Sequence, residues 1–179
     1  DILVLRTEHE IDRTIREKVA LFCNVDLDAV VQSINVSTIY DVPLKMLEEK
    51  LDVTVLKKLV LPMNELVDLS PWNQFLSRLK NPQAEVNIGL IGKYVELRDA
   101  YKSIAEALVH AGAENRCQVN IKWIHSESVK SDNFEQVLSD LDGIIVAPGF
   151  GHRGMDGKAL AAHYARTNNT PYLGICLGM

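Results

Sequence analysis

The chain has 179 residues, 47% of them hydrophobic, and a formal net charge of -5 at pH 7. This length and apolar content suit one domain of ordinary size, or a domain with an appendage. The acidic balance offers no basic face to nucleic acid, and no apolar run reaches the about eighteen residues of a membrane span. We therefore expect a cytoplasmic protein with neither nucleic acid nor membrane as a partner.

The three cysteines, Cys23, Cys117 and Cys176, are widely spaced, and the sequence contains no Cys-x-x-Cys pair. This pattern indicates neither a disulfide framework nor a zinc site. The five histidines are scattered as well, so we predict no metal site. Because the chain opens without Met on a strand-like run, we expect it to be an internal piece of a longer polypeptide.

Short elements are predicted in the first third of the chain. The apolar run 2–5 is typical of a buried strand, and residues 7–22 predict a helix with Thr7 as its N-cap. The apolar residues at helical spacing are Ile11, Ile15, Val19 and Phe22. The β-branched stretch 36–42 predicts a strand that ends at Pro43, and residues 44–51 predict a short amphipathic helix.

Prolines 62, 71 and 82 punctuate the next stretch of the chain. Pro71 to Leu79 predicts a short helix with Ser70 as N-cap and Pro71 at its first position, where a missing N–H is harmless. Its apolar face predicts packing against a neighbour. The face consists of Trp72, Phe75, Leu76 and Leu79. We assign residues 1–60 to a first domain, 61–84 to a linker and 85–179 to a second domain.

From Val86 onward, apolar runs and amphipathic segments alternate regularly. Strands are predicted over 86–91, 119–124, 143–146 and 172–175, and helices over 99–113, 133–141 and 156–168. Such alternation predicts right-handed crossovers and a doubly wound parallel sheet with helices on both faces, an α/β fold. In these sheets ligands bind at the carboxyl ends of the strands.

The end of the chain, Gly174-Ile175-Cys176-Leu177-Gly178, is the thiol version of a nucleophile elbow. Glycines without a Cβ let strand and helix approach each other while Cys176 is held strained and exposed. A helix beginning at Leu177 would favour the thiolate through its free N–H groups and its dipole. The alternative is a buried structural cysteine in a Gly-rich turn.

Three loops are predicted to meet at the same edge of the sheet: 92–94, 148–154 and the elbow. The N–H groups of the 148–154 loop and of Leu177 are well placed to form an oxyanion hole for attack by Cys176 on an acyl carbon. Two Gly-rich loops beside one exposed thiol favour the catalytic interpretation over a structural cysteine.

These strings resemble the class I (triad) glutamine amidotransferases over about the last ninety residues, and the CTP synthase family over essentially the whole chain. In the second part the resemblance rests on Gly92 to Leu97, Asp99 to Tyr101, Gly151-x-Arg153-Gly154 and Gly174 to Met179. In the first part it rests on Lys18 to Val25 and Ile39 to Pro43.

The resemblance implies a mainly helical end of a P-loop-type synthetase domain, followed by the N-terminal half of an amidotransferase domain. It implies that glutamine hydrolysis supplies ammonia. In the synthetase domain, ATP with Mg²⁺ phosphorylates the uracil O4 of UTP, and ammonia then displaces the phosphate to give CTP. GTP as an activator, CTP as a feedback inhibitor and a homotetramer are also implied.

The same resemblance implies roles for individual residues. Cys176 is the nucleophile, and the glutamine or oxyanion contacts are Gly149, Leu177, Gly178 and Met179. Lys18 matches a lysine that contacts UTP or CTP. The segment beside the ATP adenine is matched by Ile34, Asn35 and Val36. The region that responds to GTP is matched by Lys93, Tyr94 and Lys102, for which solvated side chains are the alternative.

The chain also departs from the family. Its loop reads Ala147-Pro148-Gly149-Phe150-Gly151 where the family has Pro-Gly-Gly-Phe-Gly, and because Pro148 has no N–H, Gly149 is the predicted oxyanion donor. We expect the His and Glu partners of the thiol, and the ATP phosphate loop, to lie outside these residues. The 179 residues alone are then expected not to hydrolyse glutamine.

His125-Ser126-Glu127 has the spacing of the family's His and Glu partners, but it precedes the cysteine. We interpret it as polar surface at a strand end. Two other functions remain open: a stand-alone hydrolase whose Cys176 attacks peptide or γ-glutamyl substrates, and a non-catalytic module for oligomerisation or nucleotide sensing.

Overall fold

The computed structural model describes residues 1–63 and 67–179. The chain divides into two compact units, Asp1–Leu76 and Ser77–Met179. The predicted domain boundaries after residues 60 and 84 stay a prediction, and part of the predicted linker, 64–66, lies outside the described residues.

The first unit is built on a two-stranded parallel sheet with helices. Strands β1 (Leu3–Arg6) and β2 (Val30–Ser33) pair with Leu3 opposite Val30. The helices are α1 (Arg13–Cys23), α2 (Val42–Glu48), α3 (Leu51–Lys58) and α4 (Ser70–Lys80), the last of which continues into the second unit. The mainly helical character predicted for this part of the chain is confirmed.

The first helix begins later than the apolar spacing predicts. Thr7 is not its cap; the Thr7 N–H donates to the Ser33 carbonyl at 3.1 Å and so extends the pairing of β1 with β2. The cap is Asp12, whose carboxylate accepts from the Ile15 N–H at 2.9 Å. A side-chain cap of this kind satisfies an amide that the first turn leaves without a partner.

The strand predicted over residues 36–42 is wrong. The strand is β2, which begins with the buried Val30 and Val31, while residues 39–41 form a 3-10 turn capped by Thr38. Pro43 lies in the first turn of α2 and so begins a helix instead of ending a strand. The predicted helix over 44–51 corresponds to α2, which begins at Val42 and ends at Glu48; Lys50, with a φ of 57°, separates it from α3.

The prediction that residues 2–5 form a strand is confirmed, but their burial was overestimated. Side chains along β1 alternate between half-buried and exposed, and Val4 keeps 50% of its surface. The alternation is that of a strand with one covered face.

The second unit is a four-stranded parallel sheet in the order β4-β3-β5-β6. Its strands are β3 (Ala84–Gly92), β4 (Cys117–His125), β5 (Gly143–Val146) and β6 (Tyr172–Gly174), and its helices are α5 (Lys102–Asn115), α6 (Phe134–Leu138) and α7 (Met155–Thr167). Every strand pair is parallel. The predicted α/β sheet is confirmed.

Helices cover both faces of this sheet. Neighbouring strand residues point to opposite faces, so Ile91 and Ile144 pack with α6 and α7, whereas Leu90 and Ile145 pack with the side of α5. Tyr101, in the 3-10 turn that precedes α5, belongs to the second of these cores. The doubly wound arrangement brings the carboxyl ends of β3, β5 and β6 to one edge.

Several element ends differ from the predictions. Helix α5 continues past Gly112 to Asn115 and is closed by Arg116 with a φ of 55°. Helix α6 is shorter than the predicted 133–141. After the elbow, residues 176–178 form a 3-10 turn. Among the described residues, no helix combines the length and the apolar character needed to cross a membrane.

Candidate active site

The elbow holds a strained and exposed thiol. Cys176 follows β6 with a φ of 56°, a left-handed conformation that costs energy for a residue with a Cβ, and its side chain is exposed. The turn is tight, because a Cβ at Gly174 would lie 2.3 Å from the Gly178 carbonyl oxygen, and it packs closely on β5, because a Cβ at Gly178 would lie 2.2 Å from the Val146 carbonyl oxygen. Both the strain and the exposure agree with the sequence prediction.

Hydrogen bonds to β5 and within the turn fix the elbow. The Ile175 N–H donates to the Val146 carbonyl at 3.0 Å, and the Gly178 N–H donates to the Ile175 carbonyl at 2.9 Å. The Tyr172 hydroxyl also donates to the Gly178 carbonyl. The Leu177 N–H, by contrast, has no acceptor within the described part of the chain. Three contacts were predicted here: Leu177, Gly178 and Met179. The Met179 N–H donates to the Cys176 carbonyl at 3.1 Å, so among these described residues only Leu177 has a free amide.

The loop after β5 lies next to the elbow, because β5 and β6 are paired neighbours. Gly149 and Gly151 have φ values of 150° and 85°, which side chains with a Cβ rarely adopt. In the described residues, the N–H groups of Gly149 and Phe150 have no acceptor. Phe150 itself is 88% exposed. The loop thus presents free amides at the edge where the thiol emerges.

Two buried lysines donate hydrogen bonds to carbonyl groups of this loop. Lys158, on α7, is 3% exposed and donates to the Ala147 carbonyl at 2.8 Å. Lys93, at the end of β3, is 4% exposed and donates to the Phe150 and Gly151 carbonyls at 2.6 Å each. The solvated alternative for Lys93 is therefore wrong. Sequence reasoning missed Lys158, which looks like an ordinary lysine in an amphipathic helix.

The lysines make the site electropositive. Burial lowers the pKa of Lys158, the nearby charge of Lys93 lowers it further, and Cys176 opposes the shift. Neither lysine has an ion-pair partner among the described residues. Two positive charges without a carboxylate partner therefore favour an anion at this edge of the sheet.

Tyr101 links two of the loops. It is 3% exposed, and its hydroxyl oxygen accepts from the Lys93 and Tyr94 N–H groups at 3.1 and 3.3 Å. The hydroxyl donates to the Pro148 carbonyl at 3.4 Å. The loop after β3 is thereby tied to the loop after β5, as expected for two segments at one edge of a sheet.

The residues assigned to GTP lie around the same edge in different environments. Tyr94 is 43% exposed, and the Arg153 guanidinium lies 5.8 Å from the centre of its ring. Lys102 pairs with Glu106 on the surface of α5 at 3.0 Å. The role of these residues stays a prediction.

The residues assigned to UTP, CTP and ATP lie in the first unit. Lys18 is exposed on α1, and residues 34–36 directly follow the carboxyl end of β2. The Asn35 side chain accepts from Arg6 at 2.5 Å. The position of residues 34–36 suits a ligand edge of a parallel sheet, and both assignments stay predictions.

His125 and Glu127 are engaged locally. His125 Nδ1 accepts from the Glu127 N–H at 3.2 Å, and the Glu127 carboxylate lies 3.7 Å from Arg153. The arrangement is consistent with polar residues at the end of β4. In the described ranges, no group of three or more His, Cys, Asp or Glu side chains is arranged to hold a metal ion.

Known proteins are similar to this chain along its whole length. Residues 96–179 match the family model described as glutamine amidotransferase class-I, and residues 1–61 match the model described as CTP synthase N-terminus. The CTP synthase of Flavobacterium johnsoniae is 60% identical over 179 residues, which is all of this chain and 33% of that protein. The CTP synthase of Methanocaldococcus jannaschii is 54% identical over 185 residues, covering all of this chain and 34% of that protein.

A solved structure of the Trypanosoma brucei CTPS glutaminase domain with bound acivicin is also similar. The two sequences are 39% identical, and the alignment covers 52% of this chain and 37% of the Trypanosoma brucei chain, with a TM-score of 0.49. The chain spans about a third of the length of the curated relatives it matches.

The second unit is a parallel α/β sheet with a cysteine elbow, and it matches the glutamine amidotransferase class-I model. It is therefore of the class I glutamine amidotransferase type. Since the CTP synthase relatives align along the entire chain and a CTP synthase model matches its first third, the chain belongs to the CTP synthase family.

Proposed function

We propose that this chain is part of a glutamine-dependent CTP synthase and that its second unit carries the nucleophile for glutamine hydrolysis. The observation that carries the proposal is the strained, exposed Cys176 at the edge of the sheet where the loop with the free Gly149 amide also begins, with the free Leu177 amide next to it in sequence. Family membership supplies the substrate, because a thiol elbow alone also suits other acyl substrates.

In the proposed reaction the Cys176 sulfur attacks the side-chain amide carbon of glutamine. The carbonyl oxygen becomes an oxyanion that the Gly149 and Leu177 amides stabilise. When the tetrahedral intermediate collapses, the C–N bond breaks and ammonia leaves with the proton that the thiol gave up. Water then cleaves the thioester to glutamate and restores the thiol. The buried Lys93 and Lys158 favour the anionic states along this path.

The synthetase half of the proposal rests on family membership. ATP with Mg²⁺ activates the uracil O4 of UTP when bound, and ammonia then replaces the phosphate to give CTP. Lys18 would contact UTP or the inhibitor CTP, and residues 34–36 would lie beside the adenine. Because the described residues offer no cluster that fits Mg²⁺, we derive no step through that ion.

Regulation and assembly are likewise proposed from the family. GTP would activate glutamine hydrolysis and would act near Tyr94 and Lys102, since the Lys93 ammonium is already held by two loop carbonyls. The working form would be a homotetramer in the cytoplasm.

Replacing Cys176 tests the proposal in a protein with the full length of its relatives. Cys176→Ala should lower the rate of CTP formation from glutamine by a factor of at least about 10³. The rate of CTP formation from free ammonia should stay within about twofold of the wild type. Unchanged synthesis from glutamine would instead support a non-catalytic module. Glutamine-independent cleavage of γ-glutamyl peptides by the unmutated protein would favour the stand-alone hydrolase.

A further inference from the structure

Side chains from three elements hold the carbonyl groups of the loop after β5. Lys158 on α7 holds Ala147, Tyr101 before α5 holds Pro148, and Lys93 after β3 holds Phe150 and Gly151. All three side chains are less than 5% exposed. The loop is therefore braced from both faces of the sheet, because α7 packs in one core and Tyr101 in the other.

The Tyr101 hydroxyl is set so that its proton points at Pro148. Two backbone N–H groups, from Lys93 and Tyr94, donate to the phenolic oxygen. Since both of these partners are donors, the only hydrogen of the hydroxyl is left for the Pro148 carbonyl, at the long distance of 3.4 Å. Gly92 makes room for the hydroxyl, because a Cβ there would lie 2.6 Å from the phenolic oxygen.

The orientation of one carbonyl sets the orientation of the next amide. The described residues contain no cis peptide bond, so the Pro148 C=O and the Gly149 N–H lie in one plane and point in opposite directions. Holding the carbonyl toward Tyr101 therefore points the Gly149 N–H away from the Tyr101 hydroxyl. This N–H has no acceptor in the described part of the chain.

We propose that Tyr101 is a positioning residue that presets the Gly149 amide as an oxyanion donor for acyl transfer at Cys176. The inference rests on the proposed function only in assuming that Cys176 accepts acyl groups. An oxyanion hole is effective when its donors are oriented before the charge develops. Tyr101 holds the peptide plane that contains the Gly149 N–H, whereas the two lysines hold neighbouring planes.

Acyl and alkyl reagents separate this role from a merely structural one. With p-nitrophenyl acetate, the Cys176 sulfur forms a bond to the acyl carbon, the ester C–O bond breaks, p-nitrophenolate leaves, and an oxyanion forms on the way. With iodoacetamide, the sulfur bonds to the CH₂ carbon and iodide leaves without an oxyanion at the reacting carbon. A misplaced oxyanion donor therefore slows the first reaction only.

We expect Tyr101→Phe to slow acylation of Cys176 by p-nitrophenyl acetate about tenfold or more. Alkylation by iodoacetamide should stay within about twofold, as measured by mass spectrometry on Cys176. Tyr164→Phe is the matched control, since it removes a hydroxyl from a tyrosine that is 9% exposed in the core on the opposite face. It should change neither rate.

Gly92→Ala is a second variant. Its new methyl group would push the Tyr101 phenol out of position without removing the hydroxyl group from the protein. The same selective loss of acylation is expected. Equal slowing of both reagents, or no slowing of either, would overturn the proposal. If Tyr101→Phe slows acylation selectively but the full-length protein fails to use glutamine, the proposed function fails and the role of Tyr101 stands.

Discussion

The buried Lys158 ammonium donates to the Ala147 carbonyl at 2.8 Å, and so ties α7 to the residue that leads into the candidate oxyanion loop. A buried lysine has a cost, because its charge is removed from water, and here the lowered pKa of Lys158 reports that cost. No carboxylate pairs with it in the described ranges, which leaves the positive charge available to an anion at the thiol edge.

The lowered pKa predicts how stability depends on pH. Folded protein binds the Lys158 proton less tightly than unfolded protein. The destabilisation caused by the buried charge of Lys158 is therefore present in full below the folded pKa. It is relieved as pH rises through that pKa toward the ordinary value of 10.5. We expect the free energy of unfolding of the wild type to rise relative to Lys158→Met over this alkaline range. Urea unfolding of both proteins, from pH 7 upward, measures the difference. A difference that does not change with pH, or that moves the opposite way, contradicts the assignment.

The first unit contains a partly buried ion pair that should stabilise it. Arg16 holds Glu49 with two hydrogen bonds of 2.7 and 2.9 Å, and the Gln32 N–H donates to the same carboxylate at 3.2 Å. The bond from Arg16 is the largest cause of the lowered pKa of Glu49. We expect Glu49→Gln to lower the free energy of unfolding by about 1–3 kcal/mol at pH 7.

The lowered pKa of Glu49 means that this stabilisation is present above the unfolded value of 4.5 and is lost as pH falls through the folded pKa. The gap between wild type and Glu49→Gln should therefore close in acid. Trp72 fluorescence in a Trp123→Phe background follows the first unit. Glu17→Gln is the control: its pair with Arg13 is 51% and 83% exposed, so it should cost less than about 1 kcal/mol. An equal cost for both variants would refute the prediction.

Gly157 in α7 should resist the usual helix-stabilising substitution. Alanine favours a helix by up to about 1 kcal/mol over glycine, but a Cβ at Gly157 would lie 1.8 Å from the Ser126 carbonyl oxygen. We expect Gly157→Ala to destabilise the second unit by about 1–3 kcal/mol, as overpacking does. Thermal unfolding measures it.

Ala159→Gly serves as the reference for Gly157→Ala, because Ala159 is exposed in the same helix. It should cost about 0.5–1 kcal/mol through helix propensity alone. Stabilisation by Gly157→Ala would show that α7 is free to move away from the end of β4.

The local sequence pattern alone was sufficient to predict most of the strands and helices of the second unit. Buried strands in a parallel sheet are short apolar runs, and the turns between them are marked by glycines, so β5 was placed at its observed ends. The elbow was also visible, because its two glycines and its cysteine are adjacent in sequence. The first unit was harder: Val36 to Val42 has the β-branched composition of a strand, yet capping by Thr38 and the position of Pro43 favour a turn and a helix.

Sequence by itself determined the sheet type, the exposed thiol and the family of this protein, because these depend on neighbouring residues and on recognisable strings. Only the tertiary structure decided which side chains support the loop. Lys93 contacts carbonyls 57 and 58 positions away, and Tyr101 reaches one 47 positions away. No local pattern distinguishes a buried lysine from a solvated one, since its burial depends on which distant backbone carbonyls the folded sheet brings within reach of its ammonium group.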